Sequence, residues 1–328
     1  MRKNRLLLRV LRVVPLLLVA GLARCGRDIG TSPTPTPPPR PTFPIMTGET
    51  AVLLAAGDIA VCGSAATQAT GRLLDGLPGT VITLGDNAYP SGSAESFRDC
   101  YDPAWGRHKA RTRPSPGNHD YEPPGAMPYF NYFGASAGPT GLGYYRFRLG
   151  DWQVYSLNSN VSMGAGSPQL QWLQRELAAN PSPCTLAYWH HPLFTSGRNG
   201  DNPATRSLWR VLYDFDADVV ISAHDHLYER FLPQDPDGRP DPQRGIRQFI
   251  AGTGGSALTS PVGTHINSDV IWSIHGVLEM VLRSNSYTWR FVSESGAPAD
   301  IGAAQCHDPV PAAEDFGAKP QTGLSARD

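Results

Sequence analysis

The 328-residue chain has no excess of positive charge, because 28 Lys and Arg stand against 29 Asp and Glu. Without the five basic residues of the first twelve positions, 23 basic residues face 29 acidic ones and the net charge is −6. A nucleic-acid-binding protein would show a basic face, so the composition predicts no nucleic-acid partner. The five cysteines include no Cys-x-x-Cys pair, which argues against a cysteine-based zinc site.

The N-terminal apolar segment lacks the length of a transmembrane helix. It runs from Val13 to Ala23, follows a basic segment, and is too short to span a bilayer as a stable helix. Small residues favour a cut after Ala23, so residues 1–23 are predicted to be a signal peptide and the protein to be exported. Lipidation of Cys25 is an alternative, although Arg24 stands where a small residue is expected. An uncleaved N-terminal membrane anchor is the third option.

The segment after the predicted signal peptide is rich in Pro and Thr. Its run TSPTPTPPPRPTFP cannot donate enough hydrogen bonds to pack a core, so residues 24–46 are predicted to be an extended linker. Residues 47–293 are then predicted to form one domain, which is long enough for a sizeable core. Residues 294–328 are predicted to be a polar tail.

Four apolar runs each end in a side chain that binds metals. The runs AVLLAAGD, TVITLGD, CTLAYWH and DVVISAH end at Asp58, Asp86, His190 and His224. Each has the length of a strand and no strict alternation, which is typical of buried strands in a layered α/β domain. Functional groups in such sheets gather beyond the carboxyl ends of the strands. The sequence therefore predicts that these side chains meet at one edge.

The residue types suit two metal ions about 3.5 Å apart. Asp86 is the natural bridge, because a carboxylate has two oxygens and can serve both ions. Asp58, Tyr89 and one histidine would form an oxygen-rich first site, whereas Asn118 and two histidines would form a less charged second site. This asymmetry predicts two unlike metals. A half-buried packing role is the alternative for Tyr89.

The motifs AAGD, GDNAY, GNHD, HHP and AHDH occur in an order that resembles the calcineurin-like metallophosphoesterases. The tyrosine of GDNAY and the form of the lone histidine motif resemble the purple acid phosphatases. The resemblance covers about residues 50–293 and implies an α/β fold, an αββα sandwich of two mixed sheets flanked by helices. Ala223 stands where the family usually has Gly. The metal ligands that the resemblance implies are Asp58, Asp86, Tyr89, Asn118, His190, His224 and His226.

The resemblance also implies the chemistry of the site. It implies two metal ions, iron with zinc, manganese or a second iron, and attack of a metal-bound hydroxide on phosphorus. His119 is the implied proton donor or phosphate contact. Spacing does not separate His190 from His191, and the motif form selects His190 as the ligand. Further candidates, either behind the ligands or against the substrate, are Asp120, His191, Asp225 and Tyr228.

The leading function is an exported phosphomonoesterase acting on small phosphate esters. A phosphodiesterase or nucleotidase would use the same centre, and a non-catalytic surface binding module is the alternative from another class. The loops after Asn87, Asp120 and Thr195 would decide how closed the pocket is. The sequence leaves the choice between monoester and diester open.

The four cysteines after Cys25 permit two disulfides and three pairings in an exported protein. Two of them, Cys62 and Cys100, follow the first two acidic ligands in the chain. Loops that leave the same rim can meet, so these two are predicted to pair. The second predicted disulfide then joins Cys184 to Cys306.

Regular elements are also predicted between the ligand segments. Helices are expected at residues 167–179, where Ser167 is the N-cap and Pro168 opens the helix, and at residues 204–214. Hairpins are expected at residues 144–159 and 276–293.

Overall fold

The computed structural model describes residues 50–307. The predicted signal peptide, the linker and Cys25 lie outside this range, as do residues 308–328 of the predicted tail. Within the described residues, no helix combines the length and the apolar character that crossing a membrane requires.

Residues 50–307 contain thirteen strands and five α-helices. The strands are β1 (Ala51–Ala56), β2 (Thr80–Leu84), β3 (Thr112–Ser115), β4 (Tyr145–Leu149), β5 (Trp152–Ser156), β6 (Thr185–Tyr188), β7 (Val219–Ser222), β8 (Tyr228–Phe231), β9 (Arg247–Ala251), β10 (Ser268–Trp272), β11 (Gly276–Arg283), β12 (Ser286–Ser293) and β13 (Pro298–Gln305). The helices are α1 (Ala65–Asp75), α2 (Ala94–Ser96), α3 (Met127–Phe133), α4 (Pro168–Ala179) and α5 (Arg206–Asp214). Short 3₁₀ or π turns lie at Phe97–Tyr101, Gly106–Arg111, His119–Tyr121, Pro124–Ala126, Gly134–Ala137 and Pro203–Thr205.

The strands form two mixed sheets. One has six strands in the order β13-β12-β11-β1-β2-β3, in which β1, β2 and β3 are parallel. The other has seven strands in the order β10-β8-β9-β7-β6-β5-β4, in which β5, β6, β7 and β9 are parallel. The parallel strands lie in the middle of the seven-stranded sheet, whereas in the six-stranded sheet they form one half, with β3 at the edge. Parallel strands that are covered on both faces are expected to have continuous apolar runs.

Three hydrophobic clusters hold the sheets and helices together as layers. The cluster between the sheets includes Leu53 and Ile82 from one sheet and Leu186 and Ile221 from the other. A second cluster packs α4 and α5 on the outer face of the seven-stranded sheet, and a third packs α1 and α3 on the outer face of the six-stranded sheet. The order helix, sheet, sheet, helix confirms the predicted αββα sandwich.

The local predictions agree with the structure. Ser167 Oγ accepts the amide of Leu170 at 3.3 Å, so the N-cap that opens α4 is formed. The second predicted helix, α5, begins at Arg206 after a short 3₁₀ turn. The predicted hairpins are β4–β5 and β11–β12, whose strands pair antiparallel.

The predicted end of the domain at Ser293 is wrong by one strand. Residues 298–305 form β13, which pairs antiparallel with β12 at the edge of the six-stranded sheet. Its sequence PADIGAAQ combines Pro, Asp and Gly, residues that are depleted in strands, so the pattern resembles a polar tail. The pairing with β12 and the buried carboxylate of Asp300 hold this segment in the sheet.

Candidate metal centre

Five parallel strands deliver the predicted ligands to one edge of the sandwich. One residue separates the end of the strand from Asp58 after β1, Asp86 after β2, His190 after β6 and His224 after β7, and two residues separate β3 from Asn118. Because parallel strands share the edge at which they end, these side chains meet there.

The turns that carry the ligands are tight. Asp58, Asp86 and His224 have φ angles of 55°, 49° and 71°, which non-glycine residues adopt rarely and mostly at functional sites. A β-carbon on Gly117 would lie 2.1 Å from Asp86 Oδ1, so only glycine fits beside that carboxylate. Ala223 has no positive φ, and the backbone before His224 therefore accepts the alanine.

The first group of predicted ligands surrounds the phenol of Tyr89. Its hydroxyl oxygen lies 2.9 Å from Asp58 Oδ1, 3.1 Å from Asp86 Oδ2 and 3.3 Å from His226 Nε2. His226 Nε2 is also 3.3 Å from Asp58 Oδ1. Four side chains from three separate segments thus converge their polar atoms on one point.

The second group surrounds His190. Its Nε2 atom lies 3.0 Å from Asn118 Oδ1, 3.1 Å from His224 Nδ1 and 3.2 Å from Asp86 Oδ2. Asp86 Oδ2 therefore touches both groups, at Tyr89 on one side and at His190 on the other. This is the position that a bridging carboxylate would occupy.

Two imidazoles are oriented for metal binding. His190 Nδ1 donates to the carbonyl of Leu84 at 2.8 Å, and His226 Nδ1 donates to the carbonyl of Ala257 at 2.7 Å. Each ring therefore carries its proton on Nδ1 and turns the Nε2 lone pair toward the other ligands. Metal-binding histidines are commonly held in this way, so the donor set fits two metal ions.

The electrostatics of the centre favour cations. Burial alone would raise the pKa of Asp86, but His190 and His119 outweigh it and hold that pKa below its ordinary value. Burial would lower the pKa of the two oriented histidines, but Asp86 raises that of His190 and Asp58 raises that of His226, each to about 9. The carboxylates thus stabilise positive charge at the positions where metal ions would replace the protons.

The phenol of Tyr89 needs a cation to ionise. Burial, together with the charges of Asp58 and Asp86, raises its pKa far above the ordinary value. A phenolate would form here only against a strong positive charge, such as that of a bound metal ion.

His119 lies at the exposed side of the centre. Its side chain is 31% exposed and its Nε2 atom is 3.9 Å from Asp86 Oδ2, farther than any contact within the two ligand groups. Its Nδ1 atom lies 2.5 Å from the carbonyl of Pro90 and 2.9 Å from Glu122 Oε1. The imidazole is thus fixed at one nitrogen and free at the other.

Two predicted acidic candidates brace the ligand loops from behind. Asp120 is fully buried and accepts hydrogen bonds from Asn87 Nδ2 at 2.8 Å and from the amide of Gly117 at 2.9 Å. Asp225 accepts from Thr195 Oγ1 at 2.8 Å and from the amide of Asn199 at 3.0 Å. Both carboxylates are therefore engaged with the backbone and side chains of the loops.

The remaining two candidates differ from each other. His191 lies beside the second group, with its ring centroid 4.3 Å from that of His224 and its Nδ1 atom 2.8 Å from Ser159 Oγ. Tyr228 does not join the centre. It is fully buried between the sheets, where its hydroxyl donates to Asp300 Oδ2 at 2.7 Å. The prediction for Tyr228 is wrong because β8 begins at that residue and turns its side chain into the core.

The sequence did not single out several groups that shape the centre. They include the carbonyls of Leu84 and Ala257, which orient the imidazoles. The loop after Thr195 was expected only to shape the pocket, and its turn-forming run TSGRNGDN gave no sign that Thr195 and Asn199 bind the segment of His224 and Asp225.

Both predicted disulfides are formed. One joins Cys62 to Cys100 and connects the loops that follow the first two acidic ligands. The other joins Cys184, directly before β6, to Cys306, directly after β13, and connects the two sheets.

The calcineurin-like phosphoesterase model matches residues 51–228, and the chain belongs to that family. It is similar to purple acid phosphatase 15 of Arabidopsis thaliana, with 24% identity over 216 residues that cover 53% of this chain and 41% of that protein. It is also similar to an uncharacterized protein of Mycobacterium tuberculosis, with 29% identity over 197 residues that cover 52% of this chain and 34% of that protein. The chain thus spans less than half the length of these two relatives.

Solved structures share the fold. The purple acid phosphatase PPD1 of yellow lupin (Lupinus luteus) matches with a TM-score of 0.66 and 14% identity, over 79% of this chain and 54% of that one. GAP50 of Plasmodium, described as the anchor in the inner membrane complex, matches with a TM-score of 0.63 and 13% identity, over 79% of this chain and 90% of that one. At these identities the likeness concerns the fold alone.

Proposed function

We propose that the protein is an exported, dinuclear-metal phosphomonoesterase that resembles the acid phosphatases of its family. The observation that carries this proposal is the position of Asp86 Oδ2, which touches the Tyr89 group on one side and the His190 group on the other. The predicted signal peptide and the two disulfides support export.

The residues would share two metal ions as follows. Asp58, Tyr89 and His226 would hold the first, Asn118, His190 and His224 would hold the second, and Asp86 would hold both. When bound, the two ions would lower the pKa of a water molecule and neutralise charge on the phosphate. Iron with zinc, manganese or a second iron is the proposed content, since the first set is richer in hard oxygen donors.

His119 would supply the proton for the leaving group. The Pro90 carbonyl and the Glu122 carboxylate engage Nδ1 and fix the ring, so Nε2 is the atom that would deliver a proton on the open side. A leaving alkoxide needs such a proton, and a positioned donor typically contributes 10²- to 10⁴-fold.

The test is hydrolysis of p-nitrophenyl phosphate by purified protein, before and after chelation and after metal readdition. We expect activity to disappear with the chelator and to return with metal. Asp86→Asn keeps the size of the side chain but replaces one carboxylate oxygen by an NH₂ group, which cannot bind a metal ion. This variant should be inactive. The control Asp237→Asn changes a surface aspartate that pairs with Arg206 and Arg210, and it should stay active.

Other outcomes would assign another function. Activity on diesters or nucleotides without activity on simple monoesters would favour the phosphodiesterase or nucleotidase alternative. A metal-loaded protein without any esterase activity would favour a binding module, since fold alone does not define function.

A further inference from the structure

A short loop is anchored directly on the segment that carries His224. Asn199 Nδ2 donates to the carbonyl of His224 at 2.7 Å, and the amide of Asn199 donates to Asp225 Oδ1 at 3.0 Å. Thr195 Oγ1 donates to Asp225 Oδ2 at 2.8 Å. The loop is therefore fixed at both ends of residues 195–199, next to the candidate metal centre.

Arg198 stands between these anchors. Gly197 before it packs so closely that a β-carbon there would lie 2.1 Å from the carboxyl carbon of Asp225. Arg198 itself is exposed. Its guanidinium forms no hydrogen bond or ion pair with residues 50–307, whereas Arg230 is paired with Asp269 and Asp300. Arg198 is thus an exposed cation without a partner among residues 50–307, on a loop whose neighbouring residues contact His224 and Asp225.

The protein ligands of the centre include no arginine or lysine. They are two carboxylates, a phenol, an amide and three imidazoles, and none of them is a permanent cation. A phosphomonoester has three terminal oxygens and up to two negative charges, whereas a diester has two terminal oxygens and one charge. The planar guanidinium presents paired N–H groups that match two phosphate oxygens. A monoester dianion therefore offers a guanidinium near the centre one more terminal oxygen and one more negative charge than a diester does.

We propose that Arg198 binds the terminal oxygens of a phosphomonoester dianion and makes the centre selective for monoesters over diesters. This inference rests on the proposed phosphoesterase function. It assigns the substrate class to a residue outside the metal ligands, on a loop whose position is set by Asn199 and Asp225.

The test compares Arg198→Gln with the wild type on two esters that share a leaving group, p-nitrophenyl phosphate and methyl p-nitrophenyl phosphate. We expect kcat/KM for the monoester to fall roughly 10- to 100-fold, as for loss of a charge-assisted pair of hydrogen bonds. The kcat/KM for the diester should fall less than about threefold, because a diester has one negative charge and one terminal oxygen fewer than a monoester for Arg198 to bind. Inhibition by inorganic phosphate should weaken by a similar factor as kcat/KM for the monoester falls.

Two further variants separate binding from structure. Arg198→Lys keeps the charge without the planar fork, and it should recover part of the monoester activity. Arg148→Gln is the matched control, because Arg148 is exposed on β4 opposite Gln153, at the end of the sheet remote from the ligands. Arg148→Gln should leave kcat/KM for both esters unchanged.

The outcomes are distinguishable. Equal losses on both esters, or no loss on either, in an Arg198→Gln protein that holds two metal ions would overturn the assignment. A metal-loaded wild-type protein that hydrolyses neither ester would overturn the proposed function and the inference with it, and this result appears before any variant is measured.

Discussion

His119→Ala should slow the reaction without removing metal. The Nε2 atom of His119 is 3.9 Å from Asp86 Oδ2, whereas the ligand nitrogens of His190 and His226 lie 3.0 to 3.3 Å from their neighbouring ligand oxygens. Loss of a positioned proton donor costs roughly 10² to 10⁴ in rate, which is about 3 to 5 kcal/mol of transition-state stabilisation.

The leaving group makes this prediction specific. A proton donor matters most when the departing oxygen is strongly basic, so the loss should be large for an alkyl phosphate and much smaller for p-nitrophenyl phosphate. The assay measures kcat/KM for both esters together with the metal content of each protein. Metal loss as large as in Asp86→Ala would make His119 a ligand. Equal rate losses for both esters would make it a phosphate contact rather than a proton donor.

Three other changes test separate parts of the structure. Tyr89→Phe should bleach the broad visible band that a phenolate bound to Fe(III) gives, with the circular dichroism unchanged; a colourless wild type containing stoichiometric Fe(III) would make Tyr89 a packing residue. Burial would raise the pKa of Asp300, but the hydrogen bonds of this carboxylate to Arg230 and Tyr228 hold the pKa below its ordinary value. The ionised carboxylate therefore stabilises the fold above about pH 4, and this stabilisation is lost as the pH falls further. Asp300→Asn should lower the free energy of unfolding by about 2 kcal/mol at pH 7, and the difference from wild type in urea titrations should narrow toward pH 3; a constant difference would contradict the ion pair. Cys184→Ala should cost about 2 to 4 kcal/mol in the same assay, and an unchanged midpoint would mean that the bond between the sheets adds nothing.

The ligand segments could be predicted because strand and chemistry coincide in them. The runs before Asp58, Asp86 and His224 are apolar, of strand length and buried, and each ends in a metal-binding side chain. The parallel order of such strands then brings their ends to one edge. The disulfide between Cys62 and Cys100 followed from the same reasoning, since both cysteines lie on loops that leave that edge.

Long-range contacts decided what the sequence could not predict. β13 has the composition of a tail, and only its pairing with β12 and the bonds of Asp300 to Arg230 and Trp289 define it as a strand. Tyr228 follows the ligand motif closely, yet the direction of β8 turns it into the core. The carbonyls that orient His190 and His226 belong to distant segments and leave no pattern in the sequence.

The segment from residue 94 to residue 137 shows a different limit. Apart from β3, it folds as short 3₁₀, π and α turns around an aromatic cluster, in which the Phe97 ring stacks on Tyr132 at 4.9 Å between centroids and packs edge-on against Phe133. Turns of this length lack the repeated apolar spacing that predicts a helix. Tertiary packing therefore determines this part of the fold.

The metal content of the wild-type protein and of Asp86→Ala is the most direct test of the account. After reconstitution with iron and zinc, elemental analysis should find two metal ions per wild-type chain. Asp86→Ala removes the carboxylate oxygen that touches both ligand groups, at 3.1 Å from Tyr89 and 3.2 Å from His190, and should hold one ion or none. A variant that retains two ions, or a folded wild type that binds fewer than two, would contradict the dinuclear centre.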